Sequence, residues 1–164
     1  MQGSGSPRIE TLVLWAGIRC LQDKWSVMSY LQEIRKLVGS RRIFVPGVRA
    51  VIVNSAGEML LQQRTDTASW GLPGGAVEPD ETAFEALQRE VAEETALTVI
   101  DAAPMALYCG PDQKFAYPNG DKVQAFAVAF IVQKWAGKPR ADGIEGSMVR
   151  FFPLSKLPED IVPV

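Results

Sequence analysis

Histidine is absent from all 164 residues, and the gap removes several kinds of chemistry at once. Without imidazole there is no His-containing zinc centre, and no Ser-His or Cys-His pair for nucleophilic catalysis within the chain. Cysteine is scarce as well: Cys20 and Cys109 are the whole supply. Two thiols make no disulfide framework, which fits a reducing, cytoplasmic compartment. No apolar run approaches the roughly 20 residues of a membrane span. Leu12 to Ile18 has the apolarity of a signal-peptide core. Only Arg8 precedes it, Glu10 stands close by, and no small-residue cleavage site follows. The net charge is −2, so no general basic excess advertises nucleic acid.

What remains is an ordinary globular composition, 47% hydrophobic and 22% charged, in a chain long enough for one domain and too short for two comfortable ones. Residues 1–27 read as an extension outside the core, since Gln2-Gly3-Ser4-Gly5-Ser6 has a linker's composition. Residues 28–164 read as the domain, and Met28 is a candidate natural start.

From Ser29, apolar residues at Leu31, Ile34, Leu37 and Val38 recur at helical spacing, and Gly39 closes the run. Ile43 to Val53 is rich in β-branched residues, with Pro46-Gly47 as a bulge or edge. A turn at Asn54-Ser55-Ala56-Gly57 and a returning strand over Glu58 to Arg64 complete an expected hairpin. Thr82 followed by Glu85 fits a capping box and starts a helix from about Thr82 to Thr95, with Phe84, Leu87, Val91 and Thr95 on its buried side. Strands follow near Leu97 to Val99, Met105 to Cys109, Phe115 to Tyr117, Val123 to Trp135 and Val149 to Phe152. Pro118-Asn119-Gly120-Asp121 is a hairpin turn. Leu154 to Leu157 begins a short helical or turn segment that Pro158 interrupts. The sum is an α/β arrangement of α+β flavour with a mixed sheet, lacking regular strand-helix alternation. No Walker loop or dinucleotide fingerprint is present.

The chemistry-bearing pattern lies between Gly75 and Leu97. Five residues separate Gly75 from Glu81, and seven separate Glu81 from Arg89-Glu90-Val91-Ala92-Glu93-Glu94. On a helix, Glu90, Glu93 and Glu94 fall within an arc of about 100°, beside the apolar stripe, so they are expected along its rim. Their mutual repulsion costs a few tenths of a kcal/mol per pair, and their place near the helix C-terminus roughly 0.3–1 kcal/mol each. Arg89 offsets part of this. A hard divalent cation would reverse the sign, and an oxygen-only donor set selects Mg²⁺ or Mn²⁺. Taken singly, the acidic run suits a solvated helix face and Leu72-Pro73-Gly74-Gly75 suits a turn. The joint spacing sets them apart.

That spacing resembles the signature of the Nudix hydrolase family, matched at every fixed position except Ala96, where the family has glycine. Weaker similarity extends from about Met28 to Leu157. The resemblance implies a Nudix-type α/β/α sandwich with a mixed sheet, and a metal-dependent hydrolase that cleaves a pyrophosphate bond in a nucleoside diphosphate derivative. It implies that Glu90 and Glu94 bind metal with the carbonyl of Gly74, and that Glu93 shares metal binding or water activation. It further implies that Arg89 orients the glutamates and Glu81 supports the loop-helix geometry. Many relatives carry another helix near the point where this chain stops, which leaves a C-terminal truncation open. Glu145, ahead of Val149-Arg150-Phe151-Phe152, is a candidate extra carboxylate ligand or base, or a plain loop acid. Trp70, Tyr108, Phe115 and Tyr117 are candidates for stacking on a base, although aromatics at such positions are more often packing, and Arg41, Arg42, Arg64 and Lys114 are candidates for meeting phosphates or for keeping the surface soluble. Two alternatives stay open: a non-catalytic Nudix-fold nucleotide-binding module, and an RNA 5′-end pyrophosphohydrolase. The assembly is open too, a homodimer included.

Overall fold

The computed structural model describes residues 29–117 and 119–162. The expected N-terminal extension, Cys20 and Met28 lie outside the described residues, as does Pro118 of the expected hairpin turn. The order is α1 (Tyr30–Val38), β1 (Ile43–Ile52), β2 (Glu58–Arg64), β3 (Trp70–Gly71), α2 (Ala83–Thr95), β4 (Thr98–Tyr108), β5 (Lys114–Ala116), β6 (Lys122–Ala136) and β7 (Gly146–Pro153). Single 3-10 turns stand at Pro111–Gln113 and Leu154–Lys156. Among the described residues, no helix is long and apolar enough to cross a membrane.

The strands form two sheets. One is mixed: β1 runs parallel to β6 from Ile43 opposite Val123 to Ile52 opposite Val132, while β4 and β5 pair antiparallel with β6. The other is antiparallel, in the order β3-β2-β7. A mixed sheet with few helices agrees with the sequence reading; the division into two sheets is new. The expected pairing of β1 with β2 does not form. Its turn does: Asn54 Oδ1 accepts from the N–H groups of Ala56 and Glu58, Gly57 takes φ +76°, and Val53 bridges Met59. Beyond that bridge the strands part, because the free edge of β1 is already occupied by the glycine-rich loop. Val48 N–H donates to Gly75 O at 2.9 Å, Ala50 N–H to Pro73 O at 2.8 Å, and Val77 N–H to Pro46 O at 3.1 Å. Pro46 stays in register with Phe126, so Pro46-Gly47 marks an edge and not a bulge. The two short strands expected over Leu97 to Cys109 are one, β4, whose register against β6 shifts three times.

Helix α1 buries none of its residues. It is held by polar bonds: Tyr30 N–H donates to Glu78 Oε2 at 3.0 Å, and Arg35 Nη2 donates to Lys122 O at 2.7 Å. Helix α2 is the reverse case. Its capping box is complete, with Glu85 N–H donating to Thr82 Oγ1 and Thr82 N–H to Glu85 Oε2. Leu87, Val91 and Thr95 are buried as expected, together with Ala86, while Phe84 is half-buried against the core. Leu87 and Val91 meet Val48, Ala50 and Ile52 of β1 and Phe130 and Val132 of β6 in one apolar cluster. Each such side chain contributes about 1.5–3 kcal/mol by leaving water, which fixes the helix over the loop at its side.

The helix ends at Ala96 with φ 58° and ψ 19°, the left-handed conformation expected where the family has glycine. Alanine there costs roughly 1 kcal/mol through its Cβ. Ala96→Gly should therefore raise stability by about 1 kcal/mol in urea unfolding, with turnover unchanged.

Candidate active site

The loop from Pro73 to Val77 lies between β1 and α2, and two glycines permit it. Gly74 adopts φ +140°, and a Cβ there would collide with the Val48 carbonyl oxygen. A Cβ on Gly75 would run into the Glu90 carboxylate. Backbone therefore touches carboxylate directly: Gly74 N–H donates to Glu94 Oε2 at 2.7 Å. Glu90 is 9% exposed and Glu94 only 4%, so both are buried and not on the rim where the helical arc alone put them. The glycine loop is what covers them. Glu93 faces solvent, its side chain 62% exposed.

Arg89 organises this end of the helix. Its Nε and Nη2 donate to the two oxygens of Glu81 at 2.8 and 2.9 Å, Nη1 donates to Glu90 at 2.8 Å and Glu93 at 3.4 Å, and Nη2 reaches Ala76 O at 3.0 Å. Those bonds raise the Arg89 pKa above its usual value. They hold the Glu81 carboxyl below the glutamate range, with the Glu78 N–H helping and burial opposing.

The buried pair behaves differently. Burial pushes Glu94 up to about 7, against the Gly74 N–H and the Gln62 amide, while Glu90 and Glu145 add to the rise. Burial also raises Glu90 in spite of Arg89. The carboxylates carry more negative charge than their neighbours neutralise. Gln62, on β2 and 3% exposed, leaves its Oε1 without a hydrogen-bond partner. It lines a cavity of about 240 Å³ with Arg64, Thr65, Asp66, Glu94, Ile144 and Glu145. Asp142 sets the loop that brings Glu145 there, accepting from the N–H groups of Ile144, Glu145 and Gly146. Thr65 N–H then donates to Glu145 O at 3.0 Å.

Among the described residues, no group of three or more acidic or cysteine side chains is arranged to hold a metal ion. Glu90 is turned to Arg89 and Glu94 to Gly74, each satisfied by N–H donors. The donor chemistry nevertheless fits a hard cation: carboxylate oxygens, a glycine carbonyl close by, and an unsatisfied buried amide oxygen.

A second cavity, also about 240 Å³, opens beside the first, lined among others by Arg49, Gln62, Arg64, Gly74, Lys114, Phe115 and Tyr117. Phe115 and Tyr117 meet edge-to-face at 5.1 Å, and Arg64 lies 5.9 Å from the Tyr117 ring centre. Of the aromatic and cationic candidates, Phe115, Tyr117, Arg64 and Lys114 reach this cavity. Trp70 packs on Phe152 instead, and Tyr108, Arg41 and Arg42 lie off both cavities. Arg49 and Gln62 are the residues the sequence reading missed. Alternation along β1 and β2 gives their faces, but no local signal shows that a cavity lies there.

The match to the NUDIX domain model covers residues 43–164. A Bacillus subtilis protein provisionally named an 8-oxo-dGTP diphosphatase is 31% identical over 121 residues, 74% of each chain. An RNA pyrophosphohydrolase of Pseudomonas putida is 38% identical over 63 residues, 38% of this chain and 40% of its own. Among solved structures, a MutT NUDIX hydrolase from Burkholderia pseudomallei superposes with a TM-score of 0.62 at 27% identity, covering 73% of this chain and 91% of the other. The NUDIX domain of Shewanella oneidensis NrtR, solved with ADP ribose, gives a TM-score of 0.57 at 21% identity over 75% and 84%, a likeness of fold. The chain belongs to the NUDIX family and has its fold. Within that family its class is pyrophosphohydrolase.

The Arg89–Glu81 contact makes a checkable statement about stability. Because the Glu81 pKa is depressed on folding, its contribution is present above the unfolded value near 4.3 and is lost as pH falls through the folded value. Glu81→Gln should cost about 1–2 kcal/mol at pH 7, the lower part of the charge-assisted range because Arg89 is 31% exposed. In urea unfolding, the gap between variant and wild type should narrow steadily as pH falls below the unfolded value near 4.3.

Proposed function

We propose that the protein is a divalent-metal-dependent hydrolase that cleaves a pyrophosphate linkage in a nucleoside triphosphate or other nucleoside diphosphate derivative, by attack of water on phosphorus. The observation that carries this reading is the buried, under-neutralised pair Glu90 and Glu94 beneath the Gly74–Gly75 backbone, next to a cavity with aromatic and cationic walls. Mg²⁺ or Mn²⁺ held there would supply charge neutralisation on the phosphate oxygens and an activated water. Glu90 and Glu94 would hold it, with the Gly74 carbonyl and Glu145. Arg89 and Glu81 fix the direction of the acids and the loop. Exposed Glu93, held by a 3.4 Å contact to Arg89, would turn towards the site to take a proton or share the cation. Phe115 and Tyr117 would flank the nucleoside. A reducing cytoplasm suits such a substrate.

The Bacillus relative's name favours an oxidised purine nucleoside triphosphate, and the Pseudomonas relative's favours triphosphorylated RNA ends. The net charge of −2 gives an RNA strand little attraction outside the site. Hydrolysis of 8-oxo-dGTP, ordinary nucleoside triphosphates, dinucleoside polyphosphates, nucleotide sugars and 5′-triphosphorylated RNA should be compared with and without Mg²⁺. The expected outcome is Mg²⁺-dependent release from a free nucleotide. Turnover confined to RNA would replace this substrate class. Glu90→Gln and Glu94→Gln should each lower kcat/KM by about a hundred-fold or more and weaken Mg²⁺ binding by calorimetry. Normal turnover in both would remove the assignment.

A further inference from the structure

We infer that Arg49 is the cation that grips the substrate phosphate next to the nucleoside, where the aromatic cavity meets the buried carboxylates. The identity of that phosphate rests on the hydrolase reading; the anion-binding role does not.

Along β1, Val48, Ala50 and Ile52 point into the core, so Arg49 points to the opposite face, into the cavity. Its guanidinium is anchored by a single bond, Nη1 donating to Val48 O at 2.8 Å. A guanidinium carries five N–H donors in a fork matched to phosphate. Among the described residues the others have no partner, and no carboxylate stands within ion-pair distance. Arg64, on the same cavity, is the contrast: Asp66 holds it by two bonds at 2.8 and 2.6 Å. Arg49 is thus the arginine kept ready.

Its anchor also fixes its place. Val48 O is the atom against which Gly74 is pressed, and Gly74 N–H donates to Glu94. A diphosphate drawn to a cation held by Glu90 and Glu94, with its nucleoside between Phe115 and Tyr117, would have its connecting phosphate at Arg49. Burial pushes this guanidinium down, and the negative charge of Glu94 and Glu90 only partly opposes that. Leaving a half-buried cation without a contact partner is costly, and an arriving anion repays the desolvation with charge-assisted bonds.

The test uses the full chain and inorganic pyrophosphate in EDTA, so neither turnover nor metal enters the readout. The Arg49 Nε–H nuclear magnetic resonance signal, identified by its loss in Arg49→Lys, should shift saturably as pyrophosphate is added. Arg49→Gln should weaken pyrophosphate binding about ten- to a hundred-fold, and Arg49→Lys by less. An unmoved signal overturns the inference, as does wild-type affinity in either variant, whatever its melting temperature. If pyrophosphate binds through Arg49 in a protein that turns over no nucleotide, the hydrolase reading falls and this one stands.

Discussion

Glu94 accepts the Gly74 N–H inside the protein, and Glu90 presses on Gly75 where no side chain could fit. These contacts tie a loop to a helix, and the rest of the architecture follows from holding that loop still. The loop gives its carbonyls at Pro73 and Gly75 to β1, and that edge is then closed to β2. β2 turns away to β7, and the departing strands leave room for the two cavities that share Gln62 and Arg64. A hairpin sacrificed locally thus makes a site globally.

Charge is distributed around the same contact in two tiers. Arg89 satisfies Glu81 fully and Glu90 in part, a frame fixed by charge-assisted bonds. Inside it, Glu94 has only an N–H and an amide, and burial lifts its pKa to about 7. The helix dipole adds to the cost, since α2 ends one residue later at Thr95. Two poorly neutralised carboxylates in the interior are the charge that the proposed cation would neutralise.

The local parts of this plan were legible in the chain. Thr82 and Glu85 state the helix start by their spacing, and Ala96 states its left-handed end because the family's glycine marks that position. The separation of Glu81 from Arg89 brings the pair together through two turns of helix and a loop, a contact that spacing can suggest. What local pattern could not carry was the depth of Glu90 and Glu94. A helical wheel places them beside the apolar stripe, and only the loop laid over them decides rim from interior. Arg49 and Gln62 failed to register for the same reason: a strand's alternation gives two faces but does not say which one meets a cavity. The β1–β2 pairing failed because a turn predicts adjacency, while the occupant of the β1 edge lies some twenty residues downstream.

The missing histidine has a last consequence. A group that titrates near neutrality has to be made by environment here, and Glu94 is the one that burial brings there. Yet a carboxylate committed to a cation is ionised and its lone pairs are engaged, so on the proposed reading Glu94 and Glu90 are poor proton acceptors. Glu93 is exposed, and among the described residues its side chain is tethered by a 3.4 Å contact to Arg89 alone. Glu145 sits on a loop pinned by Asp142 and Thr65 through its backbone, beside Glu94 in the same cavity. On that reading the exposed Glu93 is the better placed proton acceptor, and the buried Glu90 and Glu94 are the better placed to bind charge.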